Sequence, residues 1–94
     1  MKFVLYAKDK VGALPIRQAN REAHLAFINQ PSTVRILTAG PLLNPDGDMC
    51  GSMFILEAPN EDTVREWMKD DPYAKAGLFD SAELHPFIWV VGAP

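Results

Sequence analysis

Asn44-Pro45-Asp46-Gly47-Asp48 is the stretch that decides the fold. An Asp-Gly step between two apolar runs is the strongest short-range signal for a hairpin, and Asn-Pro reinforces it. The run Thr33 to Ala39, closed by Gly40-Pro41, and the run Ser52 to Ala58 read as the two strands of that hairpin. A helical segment lies beyond each. On the N-terminal side Pro15 opens a helix, since its missing N–H falls among the orphan donors of a first turn. Ile16, Ala19, Ala23, Ala26 and Phe27 then recur at helical spacing up to Asn29, and Pro31-Ser32 stops the run. On the C-terminal side Asn60 is an N-cap for Thr63 to Lys69, with Val64, Trp67 and Met68 inward. Outermost are two further strand-like runs, Phe3 to Ala7 and His85 to Val91. The order is β-α-β-β-α-β, that of the ferredoxin-like split βαβ unit. The expected class is α+β, one domain over residues 1–94, with two helices on one face of a four-stranded antiparallel sheet.

The strands carry a second expectation. A sheet with one wet face alternates apolar and polar residues. Met53-Phe54-Ile55-Leu56 and Phe87-Ile88-Trp89-Val90-Val91 are apolar at every position, so the helix-free face calls for a cover. A patch of that kind is unusual on a monomer, and a homodimer stacking two sheets face to face supplies the cover most simply.

Composition narrows the function. With 94 residues, 48% apolar and 22% charged, the chain is a small globular domain rather than a disordered one. A net charge of −3 with scattered Lys and Arg argues against nucleic acid and against a membrane-binding patch. The lone Cys50 cannot form an intramolecular disulfide, which suits a reducing compartment. Met1 runs directly into a strand-like segment with no basic n-region or long apolar stretch, so a cytoplasmic chain is expected.

Few residues are candidates for chemistry. At ~100° per residue Arg17, Arg21 and His24 share one flank of the first helix, beside its apolar centre, where a cleft can open. Two readings of His24 stand: a solvated rim residue without a task, or an acid–base group. A histidine ordinarily titrates near neutrality, and two arginines beside it suit an anionic or phenolic substrate. Asp71 also has two readings. Asp before Pro is the pattern of an N-cap, here for a short helix Pro72 to Ala76 that Gly77 terminates. A cap is also rigidly placed, as an acid–base partner must be. If both functional readings hold, His24 and Asp71 lie within hydrogen-bond reach in a cleft lined partly by Tyr73 and the Gly40-Pro41 corner. Tyr73 either packs or points its hydroxyl into that cleft.

The remaining candidates have simpler explanations. Cys50 reads as a small apolar thiol at a strand start rather than a nucleophile. Asn44, Asp46 and Asp48 form a turn rather than a cation loop, because strands and not helices flank them. His24 and His85 have no Cys or carboxylate at ligand spacing, so no metal site is expected. His85, just before Pro86, reads as structural, and Trp67 and Trp89 read as core or interface residues.

Five segments together resemble the YciI-like (YCII-related) family: Arg21-Glu22-Ala23-His24-Leu25, Leu37-Thr38-Ala39-Gly40-Pro41, Gly51-Ser52, Asp71-Pro72-Tyr73-Ala74-Lys75-Ala76-Gly77-Leu78 and Pro86-Phe87. They follow in order over nearly the whole chain, and R-x-x-H with D-P-Y-x-x-A-G is fairly specific as a pair. The resemblance implies a ferredoxin-like dimer of the dimeric α/β-barrel type and a His–Asp dyad, here His24 and Asp71. It implies dehydrochlorination of a chlorinated hydroxyquinol, without a cofactor, during breakdown of aromatic compounds. His24 would then be the general base and Asp71 would fix its tautomer. Arg17 or Arg21 would orient the phenolate, and Ser52 would donate into the same cleft. Two other functions fit the same fold: a non-catalytic dimeric module that binds a small ligand, and a cofactor-free monooxygenase-like protein acting on quinols.

Overall fold

The computed structural model describes residues 1–93. The elements are β1 (Lys2–Asp9), α1 (Leu14–Ile28), β2 (Arg35–Leu43), β3 (Met49–Glu57), α2 (Glu61–Lys69), α3 (Pro72–Lys75) and β4 (Phe79–Phe87). The strands form one antiparallel sheet in the order β2-β3-β1-β4, the ferredoxin-like arrangement expected from the β-α-β-β-α-β order. The central turn forms as its chemistry dictates. Asn44 Oδ1 accepts from the N–H groups of Asp46 and Asp48, and Gly47 supplies the positive φ of 85°.

Alternation along the strands separates the two faces. Phe3, Leu5 and Ala7 of β1, Phe54 and Leu56 of β3 and Leu84 of β4 are buried under the helices. Val64 of α2, with Trp67, Met68 and the Ile28 end of α1, packs on that layer, so α1 and α2 cover the same face. Ala13, Tyr73 and Leu78 form a second cluster where α3 closes on β4. Gly51 is needed for the close approach of β3 to β1: a Cβ there would lie 2.7 Å from the Ala7 carbonyl oxygen, and its neighbour Ser52 is paired with Ala7.

Three expectations are corrected. The last strand is Phe79–Phe87, not His85 to Val91. Phe87 pairs with Lys2, the first residue of β1, so no partner strand exists for Ile88-Trp89-Val90-Val91. Ile88, Val90 and Val91 accordingly stand more than 80% exposed. Second, β2 does not stop at Gly40-Pro41 but runs on to Leu43. It is an edge strand, where a proline need not donate to a ladder on its outer side. Third, α1 is turned about its axis from the expected face, although Phe27 of that face is half-buried against Trp67. Ala19, Ala23 and Ala26 are exposed and Ile16 is 37% exposed, whereas Arg17 and His24 are the buried residues of the helix. The polar flank is in fact the inner face, because each of its buried groups finds a partner there.

Candidate active site

Pro72 pushes the residue before it out of helical geometry, and Asp71 is extended at φ −63°, ψ 125°. Its Oδ1 accepts from the Tyr73 N–H at 3.0 Å, so Asp71 is the N-cap of α3, and Gly77, at φ 72°, follows its C-cap residue Ala76. The same Oδ1 lies 2.8 Å from His24 Nδ1, across a separation of 47 residues. One oxygen atom of Asp71 thus both caps α3 and contacts His24. Both side chains are more than nine-tenths buried.

A carboxylate oxygen accepts, so the proton of this bond is assigned to His24 Nδ1. His24 Nε2 has no partner among the described residues, and no fully enclosed side-chain nitrogen or oxygen lacks one, so Nε2 is open to solvent. The imidazole lies flat on the Tyr73 ring, with centroids 3.9 Å apart and planes 11° from parallel. On this geometry a proton can be taken up at Nε2 while Asp71 steadies the imidazolium from behind.

A second ion pair stands on the other side of Tyr73. Arg17 Nε donates to Asp9 Oδ2 at 2.8 Å and its NH2 nitrogen to Oδ1 at 3.0 Å, a two-pronged bond between fully buried partners. The same NH2 nitrogen donates to Ser52 Oγ at 2.8 Å, and the guanidinium carbon lies 4.8 Å from the Tyr73 ring centroid. Burial alone would pull the Arg17 guanidinium down, but the bonds and charge of Asp9, helped by Tyr73, leave it above its usual value. Burial pushes the Tyr73 hydroxyl up, against the pull of Arg17 and Arg21, so it stays a protonated phenol through the physiological range.

Arg17, Arg21, His24, Gly40, Pro41, Ser52 and Tyr73 all line one cleft of about 170 Å³ between α1 and the β2–β3 hairpin. Leu25, Ile28, Ala39, Met49 and Phe54 complete its walls. Asp71 stands behind His24 and does not line this cleft. Arg17 is committed to Asp9 and Ser52, whereas Arg21 is exposed and makes no ion pair among the described residues. Ser52 Oγ accepts from Arg17, so it serves first to hold that side chain. Cys50 lines a different depression, with Asn44 and Asp48, and His85 is exposed 3.8 Å from Glu83. Trp67 packs edge-on against Phe54, and Trp89 lies half-buried in the C-terminal segment, bonded to the Val91 carbonyl.

Asp9 was not among the residues singled out from sequence. As an acidic residue followed by Lys10 it reads as the polar end of a strand, and only the burial alternation of β1 turns it inward beside Ala7. With it the pattern closes: the buried polar or charged residues Asp9, Arg17, His24, Ser52 and Asp71 all belong to this one network.

Fold and site together define a ferredoxin-like α+β domain built around a buried, hydrogen-bonded His–Asp pair. The chain belongs to the YCII-related domain family, whose model matches residues 1–88. It is 34% identical to the protein YciI of Escherichia coli over 94 residues, covering 93% of this chain and 96% of that one. An uncharacterised protein of Haemophilus influenzae is also 34% identical, over 96 residues. Among solved structures it is similar to 5-chloro-2-hydroxyhydroquinone dehydrochlorinase (TftG) of Burkholderia phenoliruptrix in complex with 2,5-dihydroxybenzoquinone. That match has 36% identity, a TM-score of 0.84 and 94% coverage of each chain. A NIPSNAP domain protein of Burkholderia xenovorans shares the fold alone, at 14% identity and a TM-score of 0.54.

Breaking the buried pair beside Tyr73 is expected to be costly. Asp9→Asn leaves the Arg17 guanidinium enclosed without a counter-charge, and urea unfolding should show a loss of about 3–5 kcal/mol. A variant as stable as the parent would mean that Arg17 is not held as described.

Proposed function

We propose that this protein is a small cofactor-independent enzyme in which His24 and Asp71 perform acid–base chemistry on a single-ring phenol or quinol. The observation that carries this reading is the concentration of the buried polar residues around one open imidazole nitrogen. A buried ionic network is costly in a domain of 94 residues. Here it flanks a cleft of about 170 Å³, a size suited to one substituted ring.

Within that class, dehydrochlorination of a chlorinated hydroxyquinol is the reaction we favour, supported by the 36% identity to TftG over 94% of the chain. The steps balance without a co-reactant. His24 Nε2 takes a proton from a ring hydroxyl and returns it to the carbon that bears chlorine, giving the keto tautomer. A second hydroxyl then loses its proton to Nε2, its electron pair forms a carbonyl, and the C–Cl pair leaves as chloride. The ring reaches the quinone level while the carbon–chlorine bond is reduced, so HCl is lost overall. Asp71 holds Nδ1–H and stabilises the imidazolium in each transfer. Arg21, which lines the cleft and has no ion pair among the described residues, is suited to hold the phenolate, and the Tyr73 hydroxyl remains a donor throughout.

Asp71→Asn separates this chemistry from capping. Asparagine caps a helix about as well as aspartate, so if capping is the whole role of Asp71 the melting temperature should be nearly unchanged. Chloride release from a chlorinated hydroxyquinol, followed by ion chromatography, should fall about 10²-fold or more in Asp71→Asn and in His24→Gln. The double variant should be little worse than either, since the two residues act as a unit. A folded Asp71→Asn protein that releases chloride at the parent rate would leave Asp71 as a cap only. Its bond to the Tyr73 N–H is the specific observation behind the rival reading, a non-catalytic ligand-binding module.

The working unit in this proposal is a homodimer. On the helix-free face Val4, Tyr6, Met53 and Ile55 form a central apolar strip bordered by Lys2, Lys8 and Glu57 and, on β4, by Glu83 and His85; the exposed Ile88, Val90 and Val91 follow β4 in the chain. Light scattering at micromolar concentration should report twice the 10.4 kDa of one chain. A species of one chain's mass at that concentration would exclude this assembly.

A further inference from the structure

The Asp71 carboxylate has a second oxygen, and its surroundings differ from those of the first. Oδ1 takes both the His24 and the Tyr73 bonds, whereas Oδ2 has no partner among the described residues. The side chain is about 95% buried, yet among the described residues no fully enclosed side-chain oxygen is left unpaired, so Oδ2 keeps some accessible surface, with two hollows nearby. Asp71 lines only one of the two beside it: a cavity of about 290 Å³ beneath α2, on the side of the dyad away from the His24 cleft. Three aromatic rings, Phe54, Trp67 and Phe79, wall this cavity, with Met68 and Ala74 between them. Phe54 and Trp67 meet edge to face at 5.9 Å. The two cations at its border are exposed and each has a carboxylate neighbour on its own helix, Glu61 for Arg65 at 3.5 Å and Glu66 for Lys69 at 2.9 Å.

We propose that this cavity is a second small-molecule site, which takes a neutral single-ring aromatic bearing a hydrogen-bond donor, with the ring among Phe54, Trp67 and Phe79 and the donor on Asp71 Oδ2. Size, shape and charge select this class. Apolar cavities of ~150 Å³ take up benzene, and this one is larger and aromatic-walled. Asp71 Oδ2, without a partner among the described residues, is a carboxylate oxygen, which accepts from an O–H or N–H and repels an anion. Methionine, with its adaptable side chain, lets such a wall close on rings of differing outline. The site stands whether or not the dyad is catalytic, because it needs only the geometry of Asp71 and the walls. Its occupant bears on the carboxylate that holds His24, which couples the two sides of the dyad.

The test uses phenol and toluene as probes. In a Trp89→Phe protein, Trp67 is the remaining tryptophan. Phenol should change its fluorescence saturably and shift the His24 ring resonances with the same midpoint. Toluene, equal in shape but without a donor, should bind about tenfold more weakly. Ala74→Leu, which fills the cavity and leaves the His24 cleft untouched, should weaken phenol by at least about tenfold. Three results would each overturn the proposal: no saturable Trp67 response to phenol, equal affinity for the two probes, or His24 shifts without any Trp67 response, which would place phenol in the other cleft. These readouts on the parent-like protein decide the matter even if Ala74→Leu does not fold.

Discussion

One oxygen atom, Asp71 Oδ1, ties the molecule together. It accepts the Tyr73 N–H that starts α3 and the Nδ1–H of His24 that anchors α1, two bonds of 3.0 and 2.8 Å made by a buried carboxylate. A hydrogen bond to a charged group contributes roughly 1.5–3 kcal/mol, and an orphaned partner costs at least as much. That sets the orientation of α1. The helix must turn Arg17 and His24 inward and leave its alanines in water, against the usual preference for burying the apolar stripe. The pair of helices is thus positioned by a polar contact on one side of the domain and by the Phe3–Leu56–Val64 core on the other.

Tyr73 stands between two buried side-chain pairs, His24–Asp71 and Arg17–Asp9. Its backbone N–H completes the cap, its ring lies flat against His24, and its other neighbour is the Arg17 guanidinium held by Asp9 and Ser52. Such an arrangement resists loosening, because moving the ring disturbs a cap, a stack and a cation contact together. It also keeps one side of the imidazole fixed and the other exposed, the asymmetry that the proposed general base needs.

What could be read from sequence was what depends on neighbours in the chain. The turn at Asn44-Pro45-Asp46-Gly47 and the cap at Asp71-Pro72 are local chemistry, and both form as expected. The hairpin and the order of elements followed from them. The meeting of His24 with Asp71 is not local: the residues themselves raise it only as one of two readings, and the resemblance to a known family implies it. Where pairing partners mattered, apolarity misled. Ile88 to Val91 looks more like a strand than Phe79 to Phe87, but β1 begins at Lys2 and offers nothing to pair with it. Asp9 was invisible for the same reason, since its inward direction comes from strand register and its value from an arginine on the next helix.

The central claim is that Asp71 holds His24 in the tautomer that frees Nε2 as a base. Nitrogen NMR of the neutral His24 ring tests it most directly, because protonated and bare ring nitrogens resonate far apart. This account predicts that Nδ1 carries the proton and Nε2 is bare, the reverse of the usual preference of a free histidine, and that Asp71→Leu restores the Nε2–H form. A parent protein whose neutral His24 is protonated at Nε2 would contradict it.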